Sequence, residues 1–565
     1  MRQRRLAVDA AVGAMPGAAG FGGIRDGADT ADEATARAQY RQWVAANAAK
    51  PCKIAQLQPS VNPPRAVQRR RPAPAAGGGG TRKPSNSKQE TLKVQERTVD
   101  VAIIGSGTAG LSALAQVRKA GKSFVLINGG EPGTTCARVG CMPSKAMIQV
   151  AEDYHRRTHL GKYGIDGHEA MTLDIAEAME HVQDLRDTFV DRVLTNSTDD
   201  MPPELFLQDY ARFLEPTRLA VGAGDTEQRI RAGAVIIATG STPLVPADWR
   251  AFGDKILTTD TLFELDDLPA SLAVVGLGTI GLELGQSLHR LGVAVTGFDQ
   301  QAHIGGLRDP VVNDAAVTLM RKEFPLHLGV AAEIEADGAG LRVRAGEHVV
   351  GVERVLCSIG RVPNIGHLAL ENLGVPLDAR GLPPFDANTM QVADLPVFIA
   401  GDVTGQRQIL HEAGDEGKIA GWNAARGERR AYRRKTPLHI NFCDPNICAA
   451  GERLDALDPN TTVVGEIKFA PVGRALIMGK NRGVLRVYAD KADGRLRGME
   501  MIGPKGEHLA HLVCWCIQQG LSVGELLRMP FYHPVIEEAL QAALYDAYAK
   551  VDSKHEGLTE LAGLS

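Results

Sequence analysis

The order of apolar runs, glycine turns and helical stretches defines two repeated units in this chain. In residues 98–128, an apolar run is followed by a glycine-rich turn, an alanine-rich stretch of helical length and a second apolar run. The same order recurs in residues 271–299, SLAVVGLGTIGLELGQSLHRLGVAVTGFD. A strand, a crossover helix and a parallel second strand produce this pattern. The repetition predicts an α/β chain with two Rossmann-like nucleotide-binding units.

The two ends of the chain have different patterns. After about residue 436, alternating strands such as GVLRVYAD at 483–490 are followed by helical runs, which predicts an α+β domain. Residues 1–97 contain 17 Lys/Arg and 7 Asp/Glu and include a stretch rich in Pro, Gly and Ser at 69–88. This composition predicts a disordered basic tail and linker, in which only ARAQYRQWVAAN at 36–47 has helical periodicity.

Composition narrows the class of protein and its compartment. The 565 residues are 44% hydrophobic and 23% charged, and the net charge of −4 provides no basic field for nucleic acid. Eight cysteines in so long a chain are too few for a disulfide scaffold, which favours a reducing compartment. Asp9, Pro16 and several glycines interrupt the N-terminal segment, so it lacks the apolar core of a signal peptide or membrane span. We therefore expect a cytoplasmic protein.

The turn of the first unit carries a phosphate-binding fingerprint. Gly105, Gly107 and Gly110 give G-x-G-x-x-G between a strand and a helix. Such glycines permit a tight turn, close approach of a pyrophosphate and helix–strand packing, while the helix N-terminus attracts the phosphate charge. Asn128 stands at the end of the second strand, where an acidic residue is expected to hold a ribose hydroxyl. Its amide can still hydrogen-bond a ribose, without a charge.

The turn of the second unit repeats the fingerprint with Gly276, Gly278 and Gly281. Asp299 ends the following strand, and no arginine cluster appears in the next residues, QQAHIGG. An acid at this position accepts a 2′-hydroxyl and repels a 2′-phosphate. The second unit is therefore predicted to bind NAD rather than NADP.

A close cysteine pair lies in GTTCARVGCMPSK, residues 133–145. In a regular helix, two residues five positions apart are too far apart for a disulfide, whose Cα atoms must lie within about 7 Å. Cys136 is therefore predicted on a loop and Cys141 on a first, distorted helical turn. Because a helix N-terminus lowers the pKa of a thiol, the reduced pair is expected to be nucleophilic.

Six motifs in a fixed order resemble one family. They are the two fingerprints, C-x4-C-MPSK, ATGS at 238–241 with SIGRVPN at 358–364, FIAGDVTG at 398–405 and FYHPVIEE at 531–538. The set resembles the flavin-dependent pyridine nucleotide-disulfide oxidoreductases, and most closely the dihydrolipoamide dehydrogenase branch. The resemblance covers residues 98 to about 550. It implies that the first unit binds FAD and the second NAD.

The resemblance also implies roles for the reactive residues. Cys136 is expected to be the interchange thiol that meets the substrate, and Cys141 the thiol in charge-transfer contact with the flavin. Lys145, paired with Glu283, is expected near flavin N5. These residues are therefore predicted to connect a dithiol substrate to the flavin.

His533 and Glu538 lie five positions apart in the C-terminal motif. In the family pattern, the glutamate orients the histidine as general acid and base for the dithiol of the partner subunit. The resemblance thus implies a homodimer.

The implied binding residues and domains follow the same motifs. The residues expected to bind FAD and NAD are Gly105, Gly107, Gly110, Asn128, Thr135, Lys145, Thr239, Gly240, Gly401, Asp402, Gly276, Gly278, Gly281, Glu283, Asp299, Gly360 and Arg361. Among them, Asp402 is expected to bind the ribityl chain. The expected order is a tail (1–97), the first part of an FAD-binding domain (98–247), an NAD-binding domain (248–382), the second FAD-binding part (383–436), a dimerisation domain (437–552) and a C-terminal tail (553–565).

The implied substrate is a dithiol or disulfide, with dihydrolipoamide as the best candidate. The lipoyl group of a 2-oxoacid dehydrogenase complex is then a possible partner, and neither nucleic acid nor membrane is expected. Asn128 leaves the affinity for FAD open. Phe531 and Val535 replace a histidine and a threonine that are common in the family, and they leave the identity of the substrate open.

The sequence also bears on several alternatives to this interpretation. Mercuric reductase is expected to carry a cysteine pair near its end, whereas this chain ends EGLTELAGLS. Glutathione reductases usually have a gating tyrosine where Thr279 stands. Another flavin disulfide reductase, or a flavin-bound redox sensor that docks through its basic tail, remains open. Glu507, His511 and Cys514 share a helical face, but an interface helix is favoured over a metal site.

Overall fold

The computed structural model describes residues 96–563. The predicted helical stretch at 36–47 and most of the predicted tail lie outside the described residues. The first strand begins at Glu96, so the last two residues of the predicted tail belong to this strand. Glu96 hydrogen-bonds to Arg218 at 2.9 Å and Arg231 at 3.1 Å, and these pairs join the start of the strand to its neighbours.

The strands of the described chain are numbered in chain order. They are β1 (Glu96–Ile104), β2 (Phe124–Ile127), β3 (Phe206–Leu207), β4 (Ala211–Glu215), β5 (Arg218–Val221), β6 (Gln228–Ile237), β7 (Ser241–Pro243), β8 (Ile256–Leu257), β9 (Ser271–Val275), β10 (Ala294–Asp299), β11 (Leu326–Leu328), β12 (Glu333–Asp337), β13 (Gly340–Ala345), β14 (His348–Val352), β15 (Arg354–Cys357), β16 (Arg361–Pro363), β17 (Val397–Ile399), β18 (Leu438–Asn441), β19 (Asn446–Gly451), β20 (Thr462–Lys468), β21 (Val484–Asp490) and β22 (Leu496–Gly503).

The α-helices are numbered in the same way. They are α1 (Thr108–Lys119), α2 (Thr135–Arg138), α3 (Cys141–His155), α4 (Arg157–Leu160), α5 (Ile175–Thr195), α6 (Thr259–Leu262), α7 (Thr279–Arg290), α8 (Pro310–Met320), α9 (Leu410–Arg426), α10 (Gly473–Ile477), α11 (Gly506–Gln519), α12 (Val523–Leu527) and α13 (Glu538–Lys550). Short 3₁₀ turns lie at Gly161–Tyr163, His168–Ala170, Gly224–Thr226, Trp249–Lys255, Leu370–Leu373, Asp402–Thr404 and Leu454–Ala456.

The first nucleotide-binding unit is built on a seven-stranded sheet. Its order is β3-β2-β1-β6-β5-β4, and β17 also pairs with β6. Strands β1, β2, β3, β6 and β17 are parallel, as the βαβ pattern predicts. Helix α9 packs so closely on α1 that a Cβ at Gly421 would lie 2.5 Å from the Ala113 carbonyl oxygen. A late segment of the chain therefore completes the first unit.

The second unit has a five-stranded parallel sheet in the order β11-β10-β9-β15-β8. An antiparallel sheet of β12, β13 and β14 is inserted before β15. Strands β9 and β10 lie where the second fingerprint predicts them, and the apolar residues of β9 are buried. The predicted repetition of two βαβ units is confirmed.

The C-terminal domain has a five-stranded antiparallel sheet in the order β18-β19-β22-β21-β20. Helices α11 and α13 share its hydrophobic core, which includes Leu485, Met499, Leu509 and Ala543. The predicted α+β class is confirmed.

A buried ionic cluster joins the second unit to the C-terminal sheet. Asp309 is fully buried and caps α8 by accepting a hydrogen bond from the Val311 N–H at 2.9 Å. The same carboxylate accepts from the Arg486 guanidinium at 2.6 Å and from the Tyr488 hydroxyl at 2.9 Å. Because a buried carboxylate is costly without such partners, these bonds fix α8 against β21.

Within residues 96–563, none of the helices combines the length and the apolar composition needed to cross a lipid bilayer.

Candidate active site

Two consecutive helices position the cysteine pair. Cys141 is the first residue of α3, as predicted, but the predicted loop position of Cys136 is wrong because this residue lies on the single turn of α2. Thr134 caps that turn by accepting a hydrogen bond from the Ala137 N–H at 3.2 Å. At the junction, Gly140 leaves the helical conformation, and a Cβ there would lie 2.9 Å from the Thr135 carbonyl oxygen. The break brings the two thiols together.

The two thiols perturb each other's acidity. A hydrogen bond from Cys136, assisted by the Lys145 ammonium, lowers the pKa of Cys141 to about 7. The same contact with Cys141, together with burial, raises the pKa of Cys136 far above its ordinary value. When the dithiol form loses a proton, the negative charge therefore resides on Cys141 rather than on Cys136.

Lys145 and Glu283, which the sequence predicts as a pair, are brought together. The Lys145 Nζ lies 2.7 Å from Glu283 Oε2, and Glu283 is only 3% exposed. The other carboxylate oxygen accepts a hydrogen bond from the Phe442 N–H at 2.8 Å. Lys145 Nζ also lies 4.7 Å from the centroid of the Phe442 ring. Residues of α3, α7 and the C-terminal domain thus meet at one buried carboxylate.

The first glycine turn has the geometry that FAD requires. Gly105 has φ of 110°, and a Cβ there would collide with the Ala238 carbonyl oxygen. A Cβ at Gly110 would meet the carbonyl oxygen of Gly105, whereas Gly107 has open space around it at the N-terminus of α1. This arrangement leaves backbone exposed where a pyrophosphate binds.

Asn128 is tied to this turn by its side-chain amide. Its Oδ1 accepts from the Ser106 N–H at 3.3 Å, and its Nδ2 donates to the Gly130 carbonyl oxygen at 2.5 Å. The residue therefore supports the fingerprint directly, in addition to any contact with a ribose.

A second group of polar residues lies beside ATGS and GDVTG. The Ser241 hydroxyl donates to Asp402 Oδ2 at 3.1 Å, and Arg361 Nε lies 2.8 Å from the Ser241 oxygen. Burial raises the pKa of Asp402, while Ser241 and Arg361 oppose that rise. Thr239 Oγ1 is buried without a hydrogen-bond partner among the described residues. An orphaned hydroxyl of this kind fits a ligand, so these residues and the glycine turn fit FAD.

Other predicted binding residues support this region through backbone geometry. Gly401 has φ of 84° and donates its N–H to the buried Glu416 carboxylate at 2.7 Å. Gly240 also has a positive φ, of 70°. Thr135 opens α2, directly before Cys136. Arg361 is directed at Ser241 and would act on a cofactor through that residue.

The second glycine turn repeats the first around α7. Gly276 has φ of 96°, and a Cβ there would lie 2.5 Å from the Ser358 carbonyl oxygen. Gly278 is open at the N-terminus of α7, and Gly281 approaches the Gly276 carbonyl oxygen. Gly360, with φ of 132°, is likewise open. This cradle fits the pyrophosphate of NAD.

Asp299 ends β10 with both carboxylate oxygens engaged. Oδ2 accepts from the Leu277 N–H at 2.6 Å, and Oδ1 accepts from the Gln301 N–H at 2.8 Å. The carboxylate thus lies against the turn, at the position expected for a ribose-binding acid.

The His533–Glu538 pair is formed on the C-terminal domain. His533 Nδ1 lies 2.8 Å from Glu538 Oε1, and Glu538 Oε2 accepts from the Val535 N–H at 3.1 Å. The contact with His533 lowers the pKa of Glu538. The histidine side chain is 80% exposed, and its only hydrogen bond within residues 96–563 is to Glu538. Within residues 96–563, neither side chain of this pair hydrogen-bonds to Cys136 or Cys141.

Some contacts of the site were not apparent from sequence patterns, and the residues of the candidate metal cluster bond elsewhere. No motif signals that the Phe442 N–H completes Glu283, because the two residues are 159 positions apart. In the candidate metal cluster, His511 Nδ1 instead lies 2.7 Å from the Glu507 carbonyl oxygen. Cys514 donates to the Thr436 carbonyl oxygen at 3.6 Å.

Comparisons with known proteins agree with this geometry. Residues 99–426 match the model of the pyridine nucleotide-disulphide oxidoreductase family, and residues 439–544 match the dimerisation domain of that family. The chain is 30% identical to a dihydrolipoyl dehydrogenase of Pseudomonas aeruginosa, with 78% of this chain and 96% of that protein covered. It is 28% identical to a dihydrolipoyl dehydrogenase of Geobacillus stearothermophilus, with 79% and 95% covered.

Solved structures share the fold. A Cu(II) complex of the HOCl-induced flavoprotein disulfide reductase RclA from Escherichia coli superposes with a TM-score of 0.70 at 23% identity, covering 80% of this chain and 99% of that one. LpdA from Mycobacterium tuberculosis gives a TM-score of 0.68 at 23% identity, covering 79% and 99%.

The chain belongs to the class I pyridine nucleotide-disulphide oxidoreductase family. It is a flavoprotein disulfide oxidoreductase similar to dihydrolipoyl dehydrogenase, and the members of this family use FAD and NAD(H). The dimerisation domain supports a homodimer.

Proposed function

We propose that this enzyme transfers electrons between a dithiol substrate, with dihydrolipoamide as the best candidate, and NAD through a Cys136–Cys141 disulfide. The single observation that carries the proposal is that Cys141 opens α3 one turn before Lys145, whose Nζ lies 2.7 Å from Glu283. A hydrogen bond from Cys136 and the Lys145 ammonium lower the pKa of Cys141. In thiol–disulfide exchange, the thiol of lower pKa is the better leaving group. Attack at Cys136 with departure of Cys141 is therefore the favoured direction.

The exchange balances in two steps. A substrate thiolate attacks the Cys136 sulfur, forms a mixed disulfide and releases Cys141 as a thiolate. The second substrate thiol then attacks the substrate sulfur of the mixed disulfide and releases Cys136, which takes up the second proton as a thiol. The substrate is oxidised to a disulfide by two electrons, and the protein pair is reduced. His533 of the partner subunit takes the proton that the attacking thiol loses, and Glu538 orients its ring.

Bound FAD supplies the route by which the electron pair leaves the dithiol and reaches NAD as hydride. The chain's contribution is to hold Lys145 by Glu283 and to keep the Cys141 thiolate beside that ammonium. The glycine turns hold the two pyrophosphates. Asp299 favours NAD over NADP because its carboxylate repels a 2′-phosphate.

The test uses purified protein loaded with FAD. With dihydrolipoamide as donor, NADH should form, and NADP should be a much poorer acceptor. Cys136→Ser should abolish turnover while FAD remains bound. Cys516→Ser is the matched control, because Cys516 lies on α11 and takes no part in the proposed exchange. A wild-type protein that binds FAD but oxidises no dithiol would contradict the proposal and favour a redox sensor.

A second candidate is a flavoprotein reductase of a different disulfide. Phe531 and Val535 flank His533 and depart from the pattern of relatives, so the substrate-facing surface differs. RclA, whose fold is shared, is described as a disulfide reductase. NADH-driven reduction of a panel of disulfides, including lipoamide, distinguishes the two candidate functions. Faster turnover of another disulfide than of lipoamide would favour this second candidate.

A further inference from the structure

A buried carboxylate holds the turn that carries the second FAD motif. Glu416, on α9, is 1% exposed, and its Oε2 accepts a hydrogen bond from the Gly401 N–H at 2.7 Å. Gly401 directly precedes Asp402, which is expected to bind the ribityl chain of FAD. The two bonded residues are 15 positions apart, so the helix that follows the turn reaches back to its backbone.

The conformation of Gly401 requires a restraint. Its φ of 84° and ψ of −158° lie in a region that glycine adopts far more readily than other residues. A Cβ at this position would lie 2.7 Å from the Ala109 Cβ, so a larger residue does not fit. Because glycine has the most conformational freedom to lose, the turn needs contacts that keep it in this conformation. The hydrogen bond to Glu416 is such a contact.

The Gly401 turn and α9 both lie against the helix that begins at the first glycine turn. Ala109, which faces Gly401, belongs to the first turn of α1. Gly417, the neighbour of Glu416 on α9, packs so closely on α1 that a Cβ there would collide with the Ala109 carbonyl oxygen. Helix α9 therefore ties the Gly401–Asp402 turn to the helix whose N-terminus is the pyrophosphate-binding end.

The second oxygen of Glu416 belongs to a buried ionic network. Its Oε1 accepts from Arg434 Nη2 at 2.9 Å. The Arg434 guanidinium also bonds to Glu412, which lies one turn before Glu416 and is 3% exposed. Arg407 Nη1 lies 3.0 Å from the other oxygen of Glu412. Two guanidinium groups thus compensate two buried carboxylates, and Oε2 of Glu416 is held in place for the Gly401 N–H.

The neighbouring carboxylate on α9 shows that ion pairing and contact with the turn are separable. Asp415 lies 2.6 Å from the Lys435 ammonium and 3.1 Å from that of Lys418. Among the described residues, its side chain bonds only to these two lysines. Asp415 and Glu416 therefore both join α9 to the segment that follows it, but only Glu416 reaches Gly401.

We propose that Glu416 is a positioning residue for FAD, whose carboxylate fixes Gly401 and so keeps Asp402 in place beside Ser241 at the FAD-binding turn. Glu416 acts through Gly401 and does not itself touch the cofactor. The inference rests on FAD binding at this turn, and not on the identity of the dithiol or on the NAD link.

The test measures release of FAD from the purified holoenzyme, followed by flavin fluorescence after dilution. Glu416→Leu removes the acceptor and should speed release by about tenfold, because the Gly401 N–H then lacks a partner inside the protein. Asp415→Asn is the matched control and should release FAD at the wild-type rate. The dissociation constant of NAD should be unchanged in both variants, since the second glycine turn lies on another sheet.

Three further variants separate positioning from the loss of buried charge. Arg434→Met removes the guanidinium but leaves the acceptor for Gly401, so it should speed FAD release much less than Glu416→Leu. Glu416→Gln keeps one acceptor on a side chain of the same length and should retain FAD nearly as well as the wild type. The double variant Glu416→Leu/Arg434→Met replaces a buried ion pair by apolar side chains, a change that proteins often tolerate. It should fold and still release FAD as fast as Glu416→Leu.

Thermal unfolding followed by circular dichroism establishes that each variant is folded. The inference is overturned if the folded double variant retains FAD like the wild type. It is also overturned if Arg434→Met alone releases FAD as fast as Glu416→Leu, because the charge network and not the Gly401 acceptor would then be responsible. If the wild type carries no FAD, the assignment of the cofactor fails and this inference fails with it. Wild-type FAD retention in the double variant, with intact dithiol turnover, overturns this inference alone.

Discussion

The cysteine pair and the His533–Glu538 pair differ in how much of their environment one subunit provides. The cysteines lie beside Lys145, which a 3% exposed glutamate holds, and that glutamate is bonded in turn to the C-terminal domain. The His533 side chain is 80% exposed and bonds only to Glu538 within the described part of the chain. One half of the proposed active site is therefore formed within a subunit, whereas the other half needs a second surface.

The neighbourhood of His533 fits this interpretation. Tyr532 and Met529 are 81% and 48% exposed, which is unusual for large apolar side chains of a domain with a well-packed core. A homodimer interface would cover such side chains and bring His533 to the cysteines of the partner subunit.

The largest expected effect comes from removing the interchange thiol of the complete half. Cys136→Ser should reduce dithiol-dependent NAD reduction by at least about a thousandfold, because the variant cannot form the Cys136–Cys141 disulfide that the substrate attacks. Steady-state rates and the FAD content of the purified variant are measured together. Substantial residual turnover with full FAD content would show that Cys136 is not the interchange thiol.

The second largest effect comes from the incomplete half. His533→Gln should lower dithiol turnover by about a hundredfold, the scale of general acid–base catalysis. NADH-driven reduction of ferricyanide requires no dithiol proton transfer and should change little. If both activities fell equally, the histidine would have a structural role instead.

The third prediction concerns the buried carboxylate that completes the cysteine half. Glu283→Gln should lower the free energy of unfolding by about 1–2 kcal/mol, because Lys145 loses a charged partner but remains 34% exposed to solvent. Chemical denaturation measures the change. Glu131→Gln, which removes an exposed partner of Arg138, is the control and should cost less than about 0.5 kcal/mol. Equal losses in the two variants would contradict the importance of burial at Glu283.

The smallest effect concerns the acidity of the Cys141 thiol. Its pKa of about 7 is lowered by Cys136 first and Lys145 second, so Lys145→Met should move it up towards the ordinary value. At neutral pH the thiolate fraction falls, and alkylation of Cys141 in the reduced protein should slow several-fold. At a pH above both pKa values the variant and the wild type should react alike. An unchanged pH profile of alkylation from neutral to alkaline pH would show that Lys145 does not lower the pKa of Cys141.

Much of the fold could be predicted from the sequence because its signals are local. Apolar runs separated by glycine turns identify β1, α1 and β2, and the same spacing identifies β9, α7 and β10. Asn128 and Asp299 could be placed at the two strand ends by counting from the glycines. Each side chain accepts a hydrogen bond from the backbone N–H that follows the first glycine of its own turn. These two hydrogen bonds were not predictable, since either side chain could face solvent.

The rest of the candidate site depends on contacts that leave no local pattern. Helix α2 around Cys136 exists because Thr134 caps one turn, a feature too short for periodicity to reveal. Phe442 and His439 reach α7 from about 160 positions along the chain. Only the folded arrangement of the second unit against the C-terminal sheet brings these residues together.

Complementation between two inactive subunits tests most directly whether the active site is shared between subunits. Cys136→Ser and His533→Gln homodimers are mixed, dissociated and allowed to reassociate, and dithiol turnover is measured. If the two halves come from different subunits, each mixed dimer has one intact site, and random pairing restores about a quarter of wild-type activity. If the mixture stays as inactive as its two components although mixed dimers have formed, the claim of a site shared between subunits is contradicted.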